Sequence, residues 1–87
     1  MAYEQKKVAS LVNGDAFEGF LLVKSISVRT GSTGKNYVDL TLADENSSIN
    51  AKIWDYYDAL SRIEPGRLVK VRGTVTVWQN VLQLRVE

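Results

Sequence analysis

Two adjacent runs near the middle of the chain alternate apolar and polar residues with a period of two. The first covers residues 37–44 (YVDLTLAD) and the second covers residues 48–55 (SINAKIWD). This alternation predicts β-strands with one buried face, because successive side chains of a strand point to opposite sides. The polar residues 44–47 between the runs favour a turn, since short polar side chains can hydrogen-bond their own backbone. We therefore predict a β-hairpin.

The alternation also predicts how the two strands pair across a four-residue turn. The apolar residues of both strands meet on the core side, and the polar and aromatic residues meet on the open side. Cross-strand neighbours lie about 5 Å apart, so Tyr37 and Trp54 are expected to form one aromatic platform. The expected open-side pairs are Thr41 with Asn50, Asp39 with Lys52, and Tyr37 with Trp54.

The remaining segments predict three more strands and one short helix. A strand is expected over residues 16–28, with a bend near Gly19 because its apolar positions change parity midway. Residues 56–63 favour a short helix, with Asp55 as its N-cap and Pro65 and Gly66 ending it. Strands over 68–78 and 81–86 follow, and Gly73 suggests a second bend. Residues 1–13 are predicted to be an N-terminal arm and residues 14–87 one domain.

The order of these elements indicates a fold class. Three strands, a short helix and two more strands are the plan of the OB-fold, an all-β, five-stranded Greek-key barrel with its helix between strands three and four. An SH3-like barrel also has five strands but does not naturally take a helix of this length there. Ligands of the OB-fold lie across strands two and three, between the loops that join strands one to two and four to five. In this chain those loops are residues 30–36 and 78–80.

The open side of the predicted hairpin suggests a ligand. Aromatic rings provide surfaces on which unpaired bases stack, and cations contact phosphates, so the face suits a single-stranded nucleic acid. Arg29 and Lys35 bracket one binding loop, and Trp78 lies at the other. Two or three cations imply a log–log salt slope of about −1.4 to −2. The predicted site residues are Arg29, Lys35, Tyr37, Asp39, Thr41, Asn50, Lys52, Trp54 and Trp78.

Alternative interpretations exist for several of these residues. Trp54 could pack beneath the short helix as part of the core instead of stacking bases. Asp39 could accept hydrogen bonds from base amino groups, but a surface ion pair with Lys52 is favoured. The aromatic pair could also be an apolar patch for docking another protein or forming an oligomer. An oligosaccharide ligand is less favoured, because the face carries lysine and arginine.

Composition excludes most enzyme classes. The 87 residues fit one domain with a net charge of +1, and they include neither cysteine nor histidine. Disulfides, thiolate metal ligands and Ser-His or Cys-His catalytic pairs are therefore impossible. We predict no catalytic residue, no metal and no cofactor. No apolar run approaches the ~20 residues of a membrane span, and the first residues do not read as a signal peptide, so a cytoplasmic location is expected.

The sequence resembles a known family over about residues 14–87. It is similar to the N-terminal OB domain of bacterial 3′-5′ exoribonucleases of the YhaM type, within the tRNA-anticodon-binding OB group. The resemblance implies a substrate-holding module for single-stranded RNA or DNA, which in that family precedes a metal-dependent HD nuclease domain. Residues 45–48 and 78–80 depart from the family, which often has glycine in the first turn and a basic residue with glycine in the last. The matching segments are 17–24, 29–30, 34–44, 49–55, 65–66, 69–73 and 82–84.

Overall fold

The computed structural model describes residues 5–54, 60 and 62–86. One turn of 3₁₀ helix, Val8–Ser10, precedes the first strand. The strands are β1 (Ala16–Thr30), β2 (Asn36–Ala43), β3 (Ser48–Ile53), β4 (Leu68–Trp78) and β5 (Val81–Val86).

The five strands close into a barrel. Their order around it is β1-β2-β3-β5-β4, and β4 returns to pair with β1. Neighbouring strands are antiparallel except β3 and β5, which run parallel. This is the topology of the OB-fold, so the predicted fold class is confirmed. The parallel pairing brings the last strand beside the central hairpin, which is important for the candidate site.

The first strand pairs with two different strands along its length. It pairs with β4 from Ala16 to Leu22 and with β2 from Leu22 to Thr30. The register shifts between Val23 and Ser25, so the bend lies there and not at Gly19, where we expected it. The apolar pattern explains this position of the bend. Every second residue up to Val23 points into the barrel, and the next inward-facing residue is residue 26. The loop before β4 hydrogen-bonds to the backbone of Val23 at this position. The Val23 N–H donates to the Arg67 carbonyl, and the Val23 carbonyl accepts the Gly66 N–H.

The barrel interior is apolar throughout the described residues. Its members come from all five strands, as the alternation requires, and no buried polar side-chain atom among them lacks a hydrogen-bond partner. Gly73 is buried on the inner face where β4 passes from β1 to β5, and a Cβ there would meet the carbonyl oxygen of Arg85. The largest fully buried side chains are Phe17, Leu21, Val23, Val38, Leu42, Val75 and Leu84.

The described residues that precede β1 pack on the barrel. Val8 and Leu11 are buried in the core. The Val8 N–H donates to the Asp44 carboxylate at 2.8 Å, which links this segment to the β2–β3 turn. That bond, with those from the N–H groups of Asn46 and Ser47, lowers the pKa of the Asp44 carboxyl. The Gln5 side chain donates to the Phe20 carbonyl and accepts from the Phe20 N–H, at 2.9 and 2.7 Å.

The helix predicted over residues 56–63 falls largely on residues 56–59 and 61, which lie outside the described residues, as does its N-cap Asp55. Of the described positions there, Leu60 is buried in the core. The N–H of Ile63 donates to the Leu60 carbonyl at 3.2 Å.

Candidate functional site

The central hairpin has the predicted register. Asp39 lies opposite Lys52, and Thr41 opposite Asn50. The turn is fastened by Asp44, whose carboxylate accepts the N–H groups of Asn46 and Ser47, both at 2.9 Å. The turn has four residues, and each strand has one buried face. Only one register then keeps the apolar residues of both strands inside, because a shift by one residue would turn them outward.

Tyr37 and Trp54 form the predicted aromatic platform at one end of this hairpin. Their ring centroids are 4.9 Å apart, and the ring planes are inclined by 38°. Trp54 is 48% exposed, which excludes full burial in the core. The Lys52 ammonium lies 5.8 Å from the centre of the Tyr37 ring, within the range of a cation–π contact.

Asp39 is the centre of a polar network across β1, β2 and β3. Its Oδ2 lies 3.1 Å from Arg29 Nε, and its Oδ1 lies 3.1 Å from Lys52 Nζ. Asn50 Nδ2 donates to the same Oδ1 at 2.6 Å, and Lys52 donates to Asn50 Oδ1 at 2.9 Å. Burial raises the pKa of Asp39, but hydrogen bonds from Asn50 and Lys52 and the charges of Lys52 and Arg29 outweigh it, so the net pKa is lowered. The ion pair predicted between Asp39 and Lys52 is present, with Arg29 as a second partner.

A groove of about 360 Å³ runs from the aromatic platform across β3, β5 and β4. Tyr37 and Trp54 line it from β2 and the end of β3, and Trp78 lines it from β4. Trp78 is 62% exposed and pairs with Val81 at the end of the β4–β5 hairpin. Gln79 and Asn80 make the tight turn with φ of 50° and 64°, and positive φ at both central residues is what a type I′ hairpin turn requires. Between the aromatic residues the groove is lined by Lys52, Thr76, Val77, Gln83, Leu84 and Arg85.

The sequence did not predict most of the polar lining of this groove. Arg85 lies beside Lys52 because β5 pairs with β3 in parallel, and Gln83 lies beside Asn50 for the same reason. Thr76 faces Gln83 across β4 and β5. The outward positions of β5 are readable from its alternation. Locating them next to Lys52 requires the parallel register, which no local signal gives.

The other predicted residues lie outside the groove. Arg29 is directed to Asp39, and Thr41 and Asn50 occupy the part of the hairpin nearer the turn. Lys35 is exposed in the loop between β1 and β2, where its carbonyl accepts the Gly31 N–H at 2.8 Å. The structure therefore brings Tyr37, Lys52, Trp54 and Trp78 together around one groove, and the other five predicted residues do not line it. Lys52 also contacts two of those five, Asp39 and Asn50.

No three His, Cys, Asp or Glu side chains gather as a possible metal site within residues 5–54, 60 and 62–86. In the same part of the chain, no helix has the length and apolar character needed to cross a membrane.

Solved structures share this fold. The second OB-fold domain of replication protein A from Methanococcus maripaludis superposes with a TM-score of 0.70 at 20% identity, covering 94% of this chain and 88% of that one. A replication protein A heterotrimer bound to single-stranded DNA superposes with a TM-score of 0.65 at 19% identity, covering 94% of this chain and 66% of that chain. At these identities the likeness shows the fold alone.

Sequence comparison identifies the family. The chain is 34% identical over 74 residues to the 3′-5′ exoribonuclease YhaM of Oceanobacillus iheyensis, and the match covers 84% of this chain. It spans 23% of that relative's length, so the similarity concerns one part of a larger protein. The family model described as an OB-fold nucleic acid binding domain, of the tRNA anti-codon type, matches residues 22–87. This chain is therefore a member of the OB-fold nucleic acid binding domain family.

Proposed function

We propose that this chain is a non-catalytic module that binds single-stranded nucleic acid in the groove between Trp54 and Trp78. One observation carries the proposal: exposed tryptophans from two distant parts of the chain line a single groove, with the exposed Arg85 between them. Stacking platforms with cations between them suit a strand whose bases are unpaired. Family membership and the fold shared with replication protein A domains support the same ligand class.

The chemistry of the groove favours binding with little sequence preference. Every base offers a flat face to an aromatic ring, and each stacked base contributes about 1–3 kcal/mol. Gln83 and Thr76 add hydrogen-bonding groups between the rings. Both are neutral and can donate or accept, so they suit several base edges or sugar hydroxyls.

A second part of the proposal concerns the longer protein in which this module acts. We propose that the domain holds RNA or single-stranded DNA for a nuclease domain of the HD type in a longer protein, and that it hydrolyses nothing itself. The similarity to one part of an exoribonuclease supports this role. Hydrolysis by the purified 87-residue chain, in a preparation free of contaminating nuclease, would contradict the non-catalytic part.

Fluorescence anisotropy with labelled single strands of thymidine and of uridine tests the proposal. Trp54→Ala and Trp78→Ala should each weaken binding by about 1–3 kcal/mol and leave the melting temperature nearly unchanged. Phe20→Ala is the matched control, because Phe20 is 48% exposed but lies on β1 outside the groove. If the control weakens binding as much as the tryptophan variants, the groove is not the site. Absence of binding by the unmodified protein would exclude the function.

A further inference from the structure

The position of Asp39 on the sheet resembles that of a bound phosphate. A guanidinium, an ammonium and a side-chain amide converge on its two oxygens, from Arg29, Lys52 and Asn50. Cations and N–H donors of this kind are what proteins use to hold a phosphate oxygen. Here the anion belongs to the protein and is covalently tethered in the site.

We propose that Asp39 is a specificity-determining residue that occupies this anion position and directs the ligand backbone toward Arg85. The inference rests on the proposed function and deepens it by assigning the path of the strand. Phosphate is disfavoured over the centre of the β1, β2 and β3 face, because the cations there, Arg29 and Lys52, are already paired with Asp39. The groove over β3, β5 and β4 remains open to it.

Displacement of Asp39 by a ligand phosphate is unfavourable for two reasons. The side chains of Asp39 and Lys52 are only 19% and 16% exposed, so a carboxylate left without its cations would be poorly hydrated. A phosphate at the same cations would also lie beside that carboxylate, and like charges at contact distance repel. Asp39 thus selects against a backbone path over the centre of the sheet.

Arg85 is the complementary part of the arrangement. It is exposed on β5, lines the groove and lies next to Lys52 across the parallel strand pair. No acidic side chain among the described residues forms an ion pair with Arg85, whereas Arg29 is paired with Asp39. The two arginines carry the same charge, but only Arg85 is available to pair with a ligand phosphate.

The decisive experiment compares Arg29→Gln with Arg85→Gln by salt titration of binding to a labelled single strand. Two available cations, Arg85 in the groove and Lys35 in the β1–β2 loop two residues before Tyr37, give a log–log slope of about −1.4, a roughly 7-fold loss of affinity from 50 to 200 mM salt. Arg85→Gln should reduce the slope to about −0.7, a roughly 3-fold loss. Arg29→Gln should leave it near −1.4. Equal reductions of the slope by both variants would overturn the inference.

Asp39→Asn tests the role of Asp39 by making cations available, whereas the arginine variants remove them. Releasing Arg29 and Lys52 should tighten binding at 50 mM salt and steepen the slope toward −2.8, a roughly 50-fold loss of affinity by 200 mM. Glu45→Gln is the control, because it removes the same charge from the exposed β2–β3 turn. A folded Asp39→Asn protein with unchanged or weaker binding would contradict the inference. Should that variant not fold, the two arginine variants decide.

These results separate the inference from the proposed function. If the unmodified protein binds and depends on Trp54, equal effects of the two arginine variants reject only the role of Asp39. If the unmodified protein does not bind at any salt concentration, the proposed function fails, and the inference that rests on it fails too.

Discussion

The centre of the β1–β2–β3 face and the groove over β3, β5 and β4 are adjacent regions, and each carries cationic side chains. In the first, Asp39 pairs with Arg29 and Lys52, and its hydrogen bonds are satisfied within the protein. In the second, Trp54 and Trp78 are exposed, and Arg85 has no acidic partner among the described residues. Lys52 belongs to both. The comparison shows that the number of cationic side chains in a region does not measure how many are available to a ligand, since some are already paired within the protein.

The largest difference between the regions should come from removing both tryptophans. Trp54→Ala combined with Trp78→Ala should weaken single-strand binding by about 2–6 kcal/mol, because two separate stacking contacts add. Thr41→Ala, on the hairpin outside the groove, should change binding by no more than ~0.5 kcal/mol. Both are measured by anisotropy at one salt concentration. A large effect of Thr41→Ala would extend the site over the centre of the sheet and break the comparison.

For the free energy of unfolding, we expect the centre of the sheet to contribute more than the groove. Asp39→Ala leaves the partly buried Lys52 ammonium without its carboxylate, and we expect a loss of about 1–3 kcal/mol in the free energy of unfolding. Arg85→Ala removes an exposed side chain without an ion pair and should change that free energy by no more than ~0.5 kcal/mol. Urea denaturation followed by circular dichroism measures both. Equal losses would show that the two regions contribute alike to the fold.

The smallest expected effect is a dependence of stability on acid. The pKa values of Asp39 and Asp44 are lowered in the folded protein, so the ionised carboxylates stabilise the fold above the unfolded pKa of about 4. That contribution is lost as the pH falls through the lowered pKa values. We expect at most about 1 kcal/mol from Asp39. Its Asn variant should show a smaller loss of unfolding free energy between pH 5 and pH 3 than the unmodified protein, and an equal loss would reject this origin.

The hairpin could be predicted because its signal is local. Two alternating runs joined by four turn residues allow one register that keeps both apolar faces inside, and that register places Tyr37 beside Trp54. The bounds of β4, and the switch of the apolar residues in β1 from one alternating set of positions to the other, could be predicted for the same reason. The bend at residues 23–25 was misplaced because glycine suggested a location, whereas the apolar pattern determined it.

The groove could be predicted only in part because its lining depends on distant pairing. Nothing near Arg85 in the sequence indicates that β5 lies parallel to β3 and next to Lys52. The second partner of Asp39 was missed for a related reason. Arg29 reaches Asp39 from the neighbouring strand β1, which pairs it directly with Tyr37. Cross-strand positions on one hairpin are readable from the sequence, but contacts that extend to a third strand are not.

The parallel pairing of β3 with β5 also has a consequence for folding kinetics. The β2–β3 hairpin joins residues close in sequence, and hairpins form in about 1–10 μs. Asn50, Ala51 and Lys52 instead meet Gln83, Leu84 and Arg85 only after a long segment has closed, and barrels dominated by such contacts fold in about milliseconds to seconds. The contact between Tyr37 and Trp54 should therefore form early, while Arg85 and Trp78 join the groove with final closure. During refolding, Trp54 fluorescence should change before the chain gains the ability to bind a strand.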